Sequence, residues 1–406
     1  MSSENFIKSN LALVTLIAAS LVVFISLSVR QVFGMFFMDF NADLGITNTE
    51  FGLAIGIQML GWGLSGPVFG AIADKYGGHK AISLAFVFYI IGIYFLYNGP
   101  NTGIYFQIWL GVLVGIGCGG TAISIPMSIV GKHFPLSNRT IAMSIVTAVG
   151  SFGYFLSPLL TEYSLTENGW KNTLVAFLIA LFIGLIISFF VRSPSLKESI
   201  EQPNNQGTFD ALKEAFGTKS YMLLVSGFFV CGFHITLVGT HVPTYVIDRG
   251  LESWTAAAIL SLIGLFNIFG SLTSGYLSTK MSKKIILSTI YALRGVSIMF
   301  FIFLPASNIN SFIFGATFGF LWLSTVPATS GIVAHMFGTK YLGLLYGIVF
   351  LSHQVGSFFG AYLGGLFHDL YGSYDYAWYL AIALSVFAAI IHLPIREQPV
   401  LRLKTQ

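Results

Sequence analysis

Apolar residues run along this chain in blocks of about 20, the length that crosses the hydrocarbon of a bilayer as a helix. From Leu11 to Pro394 the blocks follow one another, with polar residues gathered in the short breaks between them. A membrane barrel would show segments of about ten residues in alternation, and these blocks are too long and too evenly apolar for that. The pattern predicts an all-α integral membrane protein with twelve spans, at about 11–37, 50–72, 81–98, 103–130, 140–161, 172–191, 220–246, 254–279, 285–304, 309–334, 340–367 and 374–394. One long polar stretch, Arg192 to Lys219, interrupts the series and holds Pro194, Pro203, Asn204, Asn205 and Gly207. It predicts a cytoplasmic linker, 192–219, with a short amphipathic helix near Phe209–Phe216, between two six-helix bundles at 1–191 and 220–406.

Composition agrees: 55% of residues are apolar and 9% charged, where a soluble domain has about 25% charged residues. The first block is long enough to stay as a span and no small-residue cleavage site follows it, so a cleavable signal peptide is not expected. With the N-terminus placed in the cytoplasm, sixteen Lys and Arg residues fall in inner segments, and only Lys171 and Arg249 fall outside. The positive-inside rule then predicts an even span count and both termini on the cytoplasmic side of a cell inner (plasma) membrane. The outer loops are acidic, with Asp43, Glu50, Glu162 and Asp369 among them. Cys118 and Cys231 lie inside apolar blocks and read as packing residues without disulfide or metal roles. No nucleophile–base pair, metal cluster or phosphate loop stands out. The expectation is therefore a protein that is not an enzyme and has no cofactor and no nucleic-acid partner.

The halves repeat each other. Gly111–Thr121 (GVLVGIGCGGT) aligns with Gly315–Thr325 (GATFGFLWLST), the turn at Gly70 with that at Gly275, and Val149-Gly-Ser-Phe with Val355-Gly-Ser-Phe, each at an offset of about 205 residues. The turn after the second span reads Gly70-Ala-Ile-Ala-Asp74-Lys75-Tyr-Gly77-Gly-His-Lys80. This resembles the signature loop of the major facilitator superfamily, and with twelve spans and a duplicated half the resemblance covers the whole chain. It implies a pseudo-symmetric pair of six-helix bundles that rock about a midplane site. It also implies a conformational gate at Gly70, Asp74, Lys75 and Gly77, in which Asp74 meets a helix terminus of the opposite half. Thr279 stands where the second copy would carry its Asp, which weakens that copy. The family's antiport motif on span five is present only loosely, as Gly150, Gly153 and Pro158, which disfavours drug–proton antiport.

No Asp or Glu lies near the middle of a span. Many sugar and cationic-drug carriers of the superfamily have one there, so the resemblance points to an anionic substrate. The ionisable residues left at depth are Arg30, Arg294, His234, His241 and His353. A cation within a span costs about 2.5–3.5 kcal/mol even on insertion scales, and is rarely there without a partner or a function. Arg30 opens the run Arg-Gln-Val-Phe-Gly-Met-Phe-Phe, which resembles span one of the monocarboxylate-porter and oxalate–formate antiporter-like branch. Its planar fork suits a carboxylate; the alternative is an arginine snorkelling to the headgroups. Arg294 falls on a span that is peripheral in that fold, and reads as a structural residue bonded to backbone carbonyls.

Asn267 matches an acidic or amide position of the porters, but Ser271 stands four residues on, where they carry arginine. Arg30 would then take over anion binding. His234 and His353 are the candidates for proton coupling, because imidazole titrates near neutral pH; the competing reading is a hydrogen-bonded structural histidine. Gln31, Tyr154, Trp322 and Gln354 complete the candidate pocket, with Gln58, Thr121, Ser124 and Thr325 as weaker members. The expected protein is a monomeric secondary transporter in the lipid bilayer that takes up a small organic anion, a monocarboxylate, together with a proton. An efflux permease for a small metabolite or drug fits the same sequence. A non-transporting membrane sensor is the third reading, disfavoured because no soluble signalling module accompanies the spans.

Overall fold

The computed structural model describes residues 3–192, 207–338 and 340–400, without the side chains of 3–9, 136, 137 and 140. Every regular element among the described residues is helical. Eleven segments are long and apolar enough to cross a membrane: α1 Asn10–Leu44, α2 Asn48–Tyr76, α3 Gly78–Asn98, α4 Ile104–His133, a 48-residue segment Ile141–Ser188, α7 Lys219–Asp248, α8 Ser253–Leu277, α9 Lys283–Phe303, α10 Asn308–Phe337, α11 Leu342–Tyr371 and α12 Asp375–His392. The 48-residue segment is two spans. Gly169 takes φ 74°, a left-handed conformation that favours glycine, and divides the segment into α5 before it and α6 after it. Ser164 Oγ and Thr173 Oγ1 lie 2.8 Å apart, whereas nine positions of unbroken helix would separate them by about 13 Å. The chain therefore folds back at Gly169, and the expected count of twelve spans stands.

Boundaries differ in places for local reasons. The first span continues past 37 to Leu44, through a 3-10 turn at Phe33–Phe36 and a helix Phe37–Leu44. It stops where Gly45 adopts φ 68° and its N–H caps Asn41 and Phe40. Helix α2 starts with a capping box: Glu50 N donates to Thr47 Oγ1 at 3.1 Å and Thr47 N donates to Glu50 Oε2 at 3.0 Å. The amphipathic linker helix forms at Thr208–Phe216. The remainder of the expected linker, 193–206, lies outside the described residues, as do Arg402 and Lys404.

Within each half the helices pack closely, α1 against α5 and α6, α2 and α3 against α4, α7 against α11, α8 against α10, and α9 against α12. The halves meet along three seams: α2 with α11, α5 with α8, and α1, at its 3-10 turn, with α7. Small residues allow the approach, as expected where apolar lipid gives helices no hydrophobic reason to associate. At Gly52 and Gly365 a side chain would run into the backbone of Ala361 and Asn48 respectively. These seams occupy the end of the molecule that carries Asn48, Gly250 and Tyr374, the acidic end. Toward the other, basic end the α2–α11 seam stops at Trp62 and Phe350, whose rings lie 6.0 Å apart. Beyond it, Gly347 and Gly343 face open space.

Two spans break within about one turn of the positions that the repeat aligns. Helix α4 breaks after Thr121 and α10 after Leu321. A break inside a membrane frees backbone groups that lipid cannot satisfy. At α10 they are met by side chains. Arg294, fully buried on α9, donates from Nε and Nη2 to Leu321 O at 3.2 and 2.7 Å and also to Trp322 O. Asn267 Oδ1 accepts from Leu323 N at 3.1 Å, and Ser274 Oγ donates to Ser324 O. Arg294 thus has the structural surroundings that its position on α9 suggested.

Replacing Arg294 by Met keeps the volume but leaves two carbonyls without a donor. Each such group costs about 1–3 kcal/mol. The Arg294→Met protein is expected to melt several degrees lower in detergent than the parent, and an unchanged melting temperature would contradict this assignment.

Candidate functional site

Arg30 owes its setting to the end of a helix. The first helical segment of α1 stops at Gln31, and Arg30 lies in its last turn. There the unpaired carbonyls carry partial negative charge and favour a cation. Gly34 follows, and a Cβ on it would lie 2.8 Å from Thr240 O, so only glycine lets α1 cross α7 this closely. The guanidinium is held gently. Nη2 donates to the Met59 thioether at 3.0 Å, a weak acceptor, and the group lies over Trp62 at 5.6 Å. The Tyr154 hydroxyl is beside it. Among the described residues Arg30 makes no ion pair with a carboxylate.

The guanidinium borders a cavity between α1, α2 and α7. It is small, about 10 Å³, room for about one water-sized group in this conformation, and Arg30, Gln31, Ile55, Gln58, Thr236 and Thr240 contribute to its wall. Four polar atoms of these residues are buried with no hydrogen-bond partner: Arg30 Nε, Gln31 Nε2, Gln58 Oε1 and Thr236 Oγ1. Each costs about 1–3 kcal/mol when left dry. Four such atoms on the residues around one small space suit a polar occupant there, water included.

The candidate residues divide into two sets. Arg30 and Gln31 line the cavity, and Tyr154 adjoins the guanidinium. Gln354 crosses from the other half, donating from Nε2 to Met59 O at 2.9 Å, on the residue whose sulfur meets Arg30. Asn267 also crosses, donating from Nδ2 to Ser151 Oγ at 3.2 Å, one turn from Tyr154. The others point into the second half. His234 Nε2 bonds Ala381 O on α12 at 2.9 Å. The indole of Trp322 lies behind Gly239, 3.9 Å from where a Cβ would be. His353 packs between Phe228 and Phe350, and its Nδ1 meets Gln354 Oε1 at 3.0 Å, so it touches the seam through its neighbour.

Thr236, Thr240 and Met59 were not singled out in the sequence, and Gln58 was only a weak candidate. Two threonines four apart on α7, on one helical face, were the available signal, masked by the more conspicuous histidines beside them. Met59 gives no signal. Among the described residues no group of three or more His, Cys, Asp or Glu is placed to hold a metal ion.

At the acidic end the cavity is closed by a polar latch. Asn48 Nδ2 meets His368 Nδ1 at 2.9 Å, Tyr374 OH donates to Asn48 Oδ1 at 2.6 Å, and Thr49 N donates to Asp369 Oδ2 at 2.7 Å. At the basic end the halves are parted, and the loop residues look inward to their own half. Asp74 pairs with Lys132 of α4 at 2.6 Å rather than with a helix of the opposite half. Lys75 lies over Tyr76, Gly70 packs toward Ile125, and Gly77 ends α2 with φ 100°. In the second copy, where Thr279 replaces the Asp, Glu397 from the C-terminal segment holds the loop. It accepts from Ser282 Oγ at 2.7 Å and Lys284 N at 2.6 Å. Burial alone would raise the Glu397 carboxyl, but these bonds together with Lys283 hold it below the usual carboxylate range.

The family model for the Major Facilitator Superfamily matches residues 19–325. The sialic acid transporter NanX of Escherichia coli (strain K12) is 24% identical, over 82% of this chain and 81% of that protein. Monocarboxylate transporter 13 of Rattus norvegicus is 24% identical, over 90% of this chain and 85% of that one. Among solved structures, a bacterial homologue of the human lysosomal transporter Spinster, in an inward-facing and unoccupied conformation, superposes with a TM-score of 0.74 at 16% identity, covering 94% of this chain and 96% of that one.

Asn48→Ala removes two bonds of the latch at about 0.5–1.5 kcal/mol each. The closed state should weaken about tenfold. A cysteine at Thr240 would then react about ten times faster with a membrane-impermeant maleimide supplied from the acidic end, with the buried Cys118 and Cys231 replaced by Ala. Equal labelling rates would show that the latch does not hold this end shut.

Proposed function

The chain belongs to the major facilitator superfamily, and from that premise we propose that it carries a small organic anion, a monocarboxylate, inward together with a proton. The observation that carries this reading is Arg30, a guanidinium beside a polar cavity, with a thioether and aromatic rings for company and an unpartnered Nε. A carboxylate is the partner such a fork fits best. The similarity to monocarboxylate transporter 13 and to the sialic acid transporter NanX, both named for acids, is in keeping with it.

Lys and Arg dominate one end of the spans, so the basic end faces the cytoplasm of a cell inner membrane, with both termini on that side. The conformation described, latched at the acidic end and parted at the basic end, is then the inward-open state. In the outward-open state the latch would be released and the basic end closed. The anion would meet Arg30, Gln31 and Tyr154, with Asn267 and Gln354 reporting its presence across the seams.

Proton coupling rests on charge. An empty site leaves Arg30 as an uncompensated cation in a poorly screened interior, which disfavours a second positive charge nearby. A bound carboxylate cancels that charge, so binding of anion and proton favour each other, and by linkage the effect is mutual. His353 is the better placed of the two histidine candidates, since the path His353–Gln354–Met59–Arg30 joins it to the site through contacts at 3.0, 2.9 and 3.0 Å. His234 is turned to α12 and serves packing in this account.

Arg30→Gln is expected to reduce carboxylate uptake into proteoliposomes by about 10²–10³-fold, the loss of one charged hydrogen-bonded pair at about 3–4 kcal/mol. Uptake undiminished by Arg30→Gln or Arg30→Ala would sink the reading. His353→Gln should retain exchange of labelled for unlabelled carboxylate across the membrane while losing accumulation driven by a pH gradient. If accumulation survives, the proton does not use His353.

A further inference from the structure

We propose that Gln58 recognises a hydroxyl group on the substrate, so that the preferred anion is a short hydroxy-monocarboxylate rather than a simple carboxylate or a dicarboxylate. The inference rests on Arg30 as the carboxylate site and adds what the opposite wall of the cavity requires.

Gln58 is fully buried in the middle of α2. Its amide orientation is fixed from behind by α4. Nε2 donates to Leu110 O at 3.1 Å, and a carbonyl can only accept, so the nitrogen is on that side and the oxygen on the other. Leu110 lies in a π-helical stretch, Gln107–Leu113, a rare winding that is frequent at functional sites. Gly115, on the following turn, lets α4 come against the Gln58 backbone, where a Cβ would lie 2.6 Å from Gln58 O. The result is an immobilised acceptor, Gln58 Oε1, on a residue that lines the cavity, with no donor in the protein to meet it.

The residues around the cavity therefore carry unlike unpartnered atoms. Arg30 Nε donates; Gln58 Oε1 only accepts; Thr236 Oγ1 on α7 does either. A carboxylate satisfies the first and is repelled by the second, since it has no proton to give. A substrate that fits both must carry a donor a short way from its carboxylate. A second carboxylate is excluded by the same acceptor. An ionised amine would supply donors, but it would put another cation beside Arg30 in a wall that holds no acid. A hydroxyl is neutral, donates to Gln58 Oε1 and leaves its own lone pairs to Thr236.

Binding of isosteric pairs by the detergent-purified protein tests this: lactate against propionate, glycolate against acetate, with succinate and alanine alongside. The wild-type protein should bind each hydroxy acid at least tenfold more tightly than its deoxy partner, and succinate and alanine more weakly than lactate. Gln58→Leu should bring lactate and propionate within about threefold of each other. Equal binding of the pairs by the wild-type protein overturns the hydroxyl proposal and leaves Arg30 as an anion site intact. A preference that survives Gln58→Leu overturns the assignment to Gln58. Tighter binding of succinate or alanine overturns the substrate class. No binding of any of these acids overturns the anion reading itself, and this proposal with it. The wild-type comparison holds even if the Leu variant fails to fold.

Discussion

Lipid offers no hydrogen bonds, so each place where a spanning helix breaks must be answered by the protein. Much of this molecule follows from how three such breaks are answered. Helix α10 breaks after Leu321, and Arg294, Asn267 and Ser274 supply the missing partners from α8 and α9. Helix α4 breaks about one turn from the equivalent place, where Thr121 bonds back to Gly117 O and across to Ser26. Helix α1 breaks after Gln31, beside the cavity, and there two polar atoms stay without a partner, Arg30 Nε and Gln31 Nε2. Two arginines at membrane depth thus face related demands and differ in one respect. Arg294 has its Nε and one terminal nitrogen on carbonyls, while Arg30 rests on sulfur, rings and the Tyr154 hydroxyl. The first fastens a bundle; the second is available.

The contacts that cross the seams are attached to the same devices. Asn267 holds Ser151 of the first half through its nitrogen and the freed Leu323 N–H through its oxygen. Separation of α5 from α8 can therefore proceed without loss of the α10 cap, because the two bonds use different atoms of one amide. Gln354 does the same on the other seam, with Nε2 on Met59 and Oε1 on His353. Each amide ties one bond across the seam to bonding inside the second half, where Asn267 Oδ1 accepts from Ser271 as well as Leu323. Those joints are single hydrogen bonds, and single hydrogen bonds can be exchanged as the halves rock.

The spans, the linker helix and the internal repeat were legible in the sequence because burial in lipid demands long apolar runs, and such runs are hard to mistake. The helix breaks were not. The break at Val32 carries no proline, and Phe37–Leu44 looked like a loop because Asp39, Asn41 and Asp43 interrupt its hydrophobicity. Rotation about the helix axis was the harder loss. In a soluble helix the polar face points to water and sets the rotation. In α7 both the lipid side and the bundle side are apolar, so nothing in the pattern distinguished His234, which points to α12, from Thr236, which lines the cavity. Arg30 could be read from depth alone, since cost singles out a cation wherever it points. Gln58 and Gln354 could not, because an amide is cheap enough to occur for packing.

Why a carrier should place its cation beside a thioether follows from the need to let go. A fixed carboxylate against Arg30 would form a buried pair, and removing one partner of such a pair costs about 3–5 kcal/mol. A substrate would have to displace it with nearly equal strength before it could bind. The Met59 sulfur gives the guanidinium a contact that keeps it oriented and yields to any oxygen anion. The same reasoning sets an upper bound on affinity. On the reading proposed above, release toward the basic end must be fast, so the site would do better with two moderate recognitions, charge at one wall and a neutral hydrogen bond at the other, than with a second cation. The described residues have that composition: one arginine at the cavity, amides and hydroxyls around it, and the other deep arginine among them bonded to the backbone of α10.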